Sequence, residues 1–454
     1  MKHLTPQIIA DVTGGEYVGS EQARNVSVHG TVRDNRGVES GNLFLCIRGA
    51  RVDGHTFAND AFERGAACAL AEQAIPDANG PYVIVESTLE AVKTLGAYYR
   101  ELFNIPVIGI TGSVGKTTAK EMVAAVLGEK FNVLKTPENL NNELGVPLTL
   151  LSLDTAHEAA VIEMGISDFG EMSRLAMMVR PDIFIMTKIG YAHLDNLGDL
   201  DGVLKAKTEA FAYMNPATGI GVLNGDDDRL WNFDPGMRKI TFGLGKRNDY
   251  RAENVYTEDK GVIKCDIVHD KSRYHVTIPA FGEHLAHTAL SAAVVGDLLG
   301  MTSDEIARGL RSYAPVGSRA NVTDTGFVTV IADCYNANPS SVKPALEALS
   351  KLSGRRVAIL GDMMELGDQA DELHRETGAF AQDCGLDLLI CCGDKAKLLY
   401  EGYVSSGGNA ARYYPNKQEL IGALPDLIEK GDTVLVKASN SMRFEEVVAY
   451  FTGE

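Results

Sequence analysis

A run of β-branched apolar residues, Val107 to Ile110, leads into Thr111, Gly112, Ser113, Val114, Gly115, Lys116, Thr117 and Thr118. Apolar residues at helical spacing follow: Met122, Val123, Val126 and Leu127. Strand, glycine loop, Lys-Thr and helix, in that order, make a phosphate cradle. Glycines let backbone N–H groups turn inward around phosphate oxygens, and the helix N-terminus adds its partial positive charge. In such a cradle Lys116 reaches the β- and γ-phosphates and the Thr117 hydroxyl faces Mg²⁺. The usual loop has about four residues between its glycines. Gly112 and Gly115 are separated by two, so this is a shortened variant. The competing reading is a glycine-rich turn without a ligand. The position of Gly115 to Thr118 between strand and helix argues against it.

The chain has 454 residues, too many for one ordinary core; about two to four domains are expected. Its formal charge of -18 disfavours a nucleic-acid partner or an anionic membrane, which need a basic surface. An acidic chain can still bind a nucleotide at one local site. Met1 to Pro6 lack the apolar core of a signal peptide, and no run approaches the ~20 apolar residues that span a bilayer. The expected location is the cytoplasm, with no membrane insertion and a monomeric state. Seven cysteines are scattered without zinc-site spacing and read as small buried hydrophobes.

Residues 1–85 read as a small α/β unit. Leu43–Ile47 and Tyr82–Val85 fit strands, and Phe57–Ala67 fits a helix ending near Gly65. Asp34, Asn35 and Arg36, and likewise Asp53, Gly54 and His55, read as polar turns or as ligand positions. A helix over 88–102 then leads to the glycine loop. From there strands and helices alternate, which predicts a mostly parallel sheet covered by helices. After a short strand at 132–134 comes a polar segment with Asn139, Asn141 and Asn142 in four positions. Its amides suit an uncharged polar ligand or simple capping. Ala159–Gly165 fits a buried strand carrying Glu163 at its end, where ligands of open α/β sheets sit, and a carboxylate there suits Mg²⁺. Asp182–Thr187 is a similar strand, and His193 falls in the loop after it.

A helix over 200–214 has an apolar stripe of Leu200, Val203, Leu204, Phe211 and Met214. Lys205 points away from the stripe, but Lys207 lies on it. Either Lys207 snorkels outward, or burial lowers its pKa and leaves a neutral amine open to modification. Strand-like alternation over 238–281, with a turn at Asp259, Lys260 and Gly261, predicts an antiparallel extension of the sheet. Helices at about 285–299 and 303–312 precede a hinge at 313–319. From about 320 the βα rhythm restarts, with strands at 327–333, 356–360, 387–391, 411–414 and 433–437, as in a second doubly wound domain. No second Gly-Lys-Thr loop appears there.

These pieces in this order resemble the Mur ligases, ATP-dependent amide-forming enzymes of peptidoglycan precursor synthesis. The signs are the run from Asp333 to Pro339, the run from Leu360 to Gly367, and Ile189 to Leu194. Within the family the chain looks like the members that add D-alanyl-D-alanine; members adding the third peptide residue usually carry histidine where Asn336 stands. The resemblance implies an α/β fold of three domains. These are an N-terminal α/β domain over 1–86 binding a UDP-sugar, a central P-loop-type, mostly parallel domain over 87–314 binding ATP, and a C-terminal Rossmann-like, doubly wound domain over 315–454 binding the dipeptide. It implies that D-Ala-D-Ala is joined to UDP-N-acetylmuramoyl-tripeptide through an acyl phosphate, with ATP and Mg²⁺.

Carried over by residue, the resemblance places Gly112, Ser113, Val114, Gly115, Lys116, Thr117 and Thr118 around the phosphates. Thr117 and Glu163 match ligands of one Mg²⁺, and His193 a ligand of a second. Lys207 matches a lysine that several members carbamylate. Asn139 and Asn142 match an amide segment near the phosphate and acceptor. Arg319 and Asp333 match contacts to ATP from the hinge and third domain, with Asn336 and Asn338 on the dipeptide side. Asp34, Asn35 and Arg36 match the nucleotide-sugar segment. There are departures. Leu285 and Thr288 stand where asparagines are usual on the adenine side, so only Thr288 keeps a hydrogen-bonding group. Asn440 replaces an arginine near the C-terminus, where the family's glycine is Ala438, and Asn35 replaces a serine or threonine. A same-fold ligase with another acceptor, and a catalytically silent relative, are the alternatives. The run from Asp333 to Pro339 opposes the first, and Lys116, Thr117, Glu163, His193 and Lys207 oppose the second.

Overall fold

The computed structural model describes residues 4–49, 52–258 and 261–453. Met1 to His3, and Asp259 and Lys260 of the expected turn, lie outside the described residues. Among the described residues the strands form sheets of five, nine and six.

The five-stranded sheet runs Glu16–Val18, Tyr82–Ile84, Cys68–Ala71, Leu43–Leu45, Thr31–Val32. Its first strand is antiparallel to its neighbour and the others are parallel. The expected helix over 57–67 is shorter, Ala58–Glu63, entered through a 3-10 turn at Gly54–Phe57. Asp53 accounts for the entry: its carboxylate accepts the backbone N–H of His55 and the His55 ring.

In the nine-stranded sheet the strand of the glycine loop, Val107–Thr111, is central, between Ile183–Met186 and Ala159–Glu163, all parallel. Fully buried on both faces, these strands are continuous apolar runs, as parallel strands require. The antiparallel extension begins later than the alternation suggested. Arg238–Gly243 pairs in parallel with both Ile220–Asn224 and Tyr250–Glu258, and only the strands from Tyr250 onward are antiparallel to each other. Alternation reports one covered face, not strand direction, so both arrangements produce it. The helix expected over 200–214 is α-helical only for Leu200–Thr208 and then tightens to a 3-10 turn, Glu209–Tyr213. At that junction the Glu209 carboxylate accepts the backbone N–H groups of Gly170 and Ser173, capping the helix Glu171–Val179, whose own N-cap glycine has no side chain.

The six-stranded sheet runs Asn321–Asp324, Thr329–Ala332, Thr433–Lys437, Arg356–Gly361, Leu388–Cys392, Ala411–Tyr414. It is parallel except at the first strand, an edge strand the sequence pattern did not reveal.

The helix Thr88–Glu101 joins the first two sheets into one core: Leu43, Leu45 and Val83 share a buried cluster with Leu95, Tyr99, Leu150 and Met172. Gly96 lets this helix approach the helix Gly145–Leu150, since a Cβ there would stand 2.7 Å from Pro147 Cβ and 2.9 Å from its Cα. Gly96→Val is expected to lower stability by about 1–3 kcal/mol through overpacking, read as a reduced Tm by calorimetry; an unchanged Tm would show that this contact can relax.

Candidate active site

The glycine loop is shaped by what it cannot hold. Gly112 has φ 148°, and a Cβ on it would fall 1.9 Å from Thr187 Oγ1. That hydroxyl donates to the Val114 carbonyl at 2.5 Å. Ser113 locks the same junction: its N–H donates to the Lys188 carbonyl, and its hydroxyl donates to the Gly190 carbonyl and accepts the Gly190 N–H. The Ser113 side chain therefore shapes the loop. Gly115, at φ 85°, caps the helix Lys116–Leu127 without a side-chain bond, which leaves first-turn N–H groups for an anion.

Parallel pairing sets Ile110 beside Glu163 and so brings the Glu163 carboxylate under the loop. Oε1 accepts from Thr117 Oγ1 at 3.0 Å and from Asn141 Nδ2 at 2.7 Å. Oε2 is buried with no hydrogen-bond partner, and the nearest cation, Lys120 Nζ, is 3.9 Å away. A buried carboxylate oxygen left open beside a threonine hydroxyl and a phosphate loop fits Mg²⁺, which takes one or two protein oxygens and completes its shell with phosphate and water. Among the described residues no group of three or more His, Cys, Asp or Glu side chains forms a metal cluster.

Lys116 Nζ donates to the Gly112 carbonyl at 2.8 Å; burial pushes its ammonium below the ordinary value, with Glu163 opposing. Lys207 is 1% exposed, so it does not snorkel. Burial holds its pKa well below the ordinary lysine value, Lys116 adds to the shift and Glu171 opposes it. Lys207 is not among the residues that line the cavity, whereas Lys116 and Glu171, the charged groups that act on it, are.

The cavity has a volume of about 960 Å³ and is lined from two sheets. The central sheet supplies Ser113 to Thr118, Glu163, His193 and Thr288, together with Asn142, whose Oδ1 caps the helix Gly145–Leu150. The third sheet and its hinge supply Arg319, Asp333, Asn336 and Asn338. Arg319 stacks on the Tyr335 ring, 3.5 Å from its centroid. Asp333 accepts from the buried Lys437 Nζ at 2.6 Å. Asn338 Oδ1 is spent capping the helix Pro339–Ser350.

Asn139 is exposed and does not line the cavity; its neighbour Asn141 does, and holds Glu163. Asp34, Asn35 and Arg36 lie away from it on the first sheet, where Arg36 pairs with Asp34 and Asn35 donates to Asp60. Sequence reasoning missed Asn141, Lys437, Glu365, which pairs with His193, and a further group on the cavity wall that holds Asp226, His284 and His287. In that group Asp226 accepts from His287 at 2.8 Å and from the N–H groups of Leu244 and Gly245. Burial favours protonation of Asp226, but these donors outweigh it and hold the carboxyl below its ordinary range. Beside it, burial lowers His284 to about 3, and its Nδ1 has no partner. Asn141 and Glu365 stood inside segments whose polar composition was visible; only packing showed which member faced inward.

Family models match all three sheet regions: "Mur ligase family, catalytic domain" over 27–101, "Mur ligase middle domain" over 110–296 and "Mur ligase, glutamate ligase domain" over 318–440. The UDP-N-acetylmuramoyl-tripeptide--D-alanyl-D-alanine ligase of Bacillus subtilis is 34% identical over 98% of this chain and 97% of its own. A crystal structure of MurF from Acinetobacter baumannii superposes with TM-score 0.90 at 29% identity, covering 99% of each chain. One of MurF from Thermotoga maritima in complex with ADP gives 0.84 at 27%, covering 96% of this chain and 99% of that one. With family models over all three sheet regions and a likeness to a curated relative along nearly the whole length, this chain belongs to the Mur ligase family.

Proposed function

We propose that this protein is an ATP-dependent ligase that joins D-Ala-D-Ala to UDP-N-acetylmuramoyl-tripeptide in cytoplasmic peptidoglycan precursor synthesis. The observation that carries this reading is the two-sided cavity: a phosphate loop on one wall, and on the other a cluster from the third sheet built around Asp333, Lys437 and Asn336. The full-length likeness to ligases of that name supports the choice of substrates. Residues 1–86 bind the UDP-sugar, 87–314 bind ATP and 315–454 bind the dipeptide.

The chemistry follows from placement. The peptide carboxylate attacks the γ-phosphorus of ATP and ADP leaves, giving an acyl phosphate. The dipeptide amine then adds to the acyl carbon, a tetrahedral intermediate forms, and phosphate departs as the amine loses its proton. Catalysis of this kind rests on positioning and on neutralising phosphate charge. First-turn N–H groups of the helix Lys116–Leu127 and the Lys116 ammonium hold the phosphates, and Arg319 approaches them from the hinge. Thr117 and Glu163 would hold one Mg²⁺, and His193 and Lys207 a second; such ions would neutralise charge on the transferred group. Lys207 as an amine is a poor ligand while protonated. Burial favours its neutral form, which adds CO₂ and releases a proton to become a carbamate with oxygen donors. Asn141 orients Glu163, while Asn142 holds the segment that carries Asn141.

Phosphate release from ATP and Mg²⁺ is expected only when UDP-N-acetylmuramoyl-tripeptide and D-Ala-D-Ala are both present, measured by omitting each in turn. Release that ignores the dipeptide would point to another acceptor. Lys207→Ala is expected to reduce turnover by roughly 100-fold, the scale of losing one charge-stabilising group, and to recover in part with added short carboxylic acids. Unchanged turnover would remove Lys207 from the site.

A further inference from the structure

We infer that Glu365 is a positioning residue that makes His193 a competent metal ligand only when the third sheet's loop is docked on the central one. The inference rests on the reading of His193 given above. His193 follows the strand Ile183–Met186, and Glu365 follows the strand Arg356–Gly361, so the two arrive from different sheets. His193 Nδ1 lies 2.8 Å from Glu365 Oε2. An ionised carboxylate can only accept, so Nδ1 is the donor of this pair and Nε2 is the ring nitrogen left for a metal. His193 lines the cavity.

The docking is more than one ion pair. The N–H of Leu194 donates to the Glu365 carbonyl at 3.1 Å. Both partners hold left-handed backbone, His193 at φ 55° and Glu365 at φ 61°. Such conformations are costly at a non-glycine residue and persist where the surroundings impose them. Gly367, at φ 56°, packs against the same turn: a Cβ there would stand 3.4 Å from the Leu194 carbonyl carbon and 3.5 Å from the Asp195 nitrogen. Leu366, between them, is buried in the third sheet's core, so the loop moves with that sheet. Ordering of His193 therefore depends on which way the third sheet faces, and metal binding and docking favour each other.

The test uses the full chain and its Glu365→Ala, Glu365→Asp and Glu365→Gln variants. Mn²⁺ binding is followed by electron paramagnetic resonance with a non-hydrolysable ATP analogue and UDP-N-acetylmuramoyl-tripeptide, beside the Mg²⁺ dependence of phosphate release. Ala and Asp, which cannot reach Nδ1, should weaken the lower-affinity Mn²⁺ by roughly 10- to 100-fold, as loss of an orienting partner does. They should raise the Mg²⁺ needed for half-maximal rate, with kcat at saturating Mg²⁺ changed less. Gln, whose carbonyl still accepts from Nδ1–H, should restore both. If Ala does not fold, Asp against Gln decides. Wild-type Mn²⁺ binding in Ala or Asp overturns the inference. So does equal loss in Gln, because charge rather than orientation would then be the cause. If the wild type releases no phosphate with these substrates, the assigned reaction fails, while the Mn²⁺ comparison still decides the role of Glu365.

Discussion

The contact on which the site depends is the closure of the glycine loop onto Thr187. Strand Val107–Thr111 and strand Ile183–Met186 are neighbours in a parallel sheet, and their following loops must diverge or lock. Here they lock, because Gly112 has no Cβ where Thr187 Oγ1 stands, and that oxygen holds the Val114 carbonyl. Ser113 and Gly190 add a reciprocal pair. Loop shape, the direction of the first-turn N–H groups and the reach of Lys116 all follow from this junction. Preorganised dipoles of this kind are what stabilise transferring phosphate without reorganising during the step.

Around the junction the structure keeps an unusual amount of buried charge. Lys120, Lys207, Lys437 and Glu163 are each 2% exposed or less. Desolvating such groups costs several kcal/mol per ion before pairing offsets it. Lys120 recovers part of that through the Thr136 and Glu138 carbonyls, and Lys437 through Asp333 and Asn336. Glu163 Oε2 and Lys207 are served least, and they are the groups assigned to metal chemistry. The chain as a whole is acidic, at -18, yet the cavity gathers Lys93, Lys116, Lys188, Arg319 and Lys437. The same wall carries Glu143, Glu163, Glu171, Asp226, Asp227 and Asp333, so the cations serve as local partners for phosphate rather than as a field of one sign.

Much of the fold was legible because parallel strands and their helices leave strong periodic signals. The strands at 107–111, 159–163 and 183–186, and the parallel ones of the third sheet, stood out against the helices between them. What escaped was short or edge-located. Thr31–Val32 and Asn321–Asp324 are too brief or too polar to alternate visibly. Direction escaped too, since Arg238–Gly243 reads the same whether parallel or antiparallel. The tail of the helix beyond Thr208 was set by the Glu209 carboxylate capping a different helix, a contact with no local signature.

By itself the sequence determined the chemistry available: a phosphate loop with Lys116 and Thr117, a strand-end carboxylate at Glu163, a lysine on an apolar stripe at Lys207, and polar clusters after strands of a second α/β unit. Spacing along one element carries that information, because side-chain direction follows from helical and strand periods. Only the tertiary structure decided which neighbours met. It chose Asn141 over Asn139 to hold Glu163, stacked Arg319 on Tyr335, and brought Glu365 to His193 from another sheet. Those choices depend on strand order and on the seating of one sheet against another. A contact such as that of Glu365 with His193, from a different sheet, leaves no periodic trace in either segment.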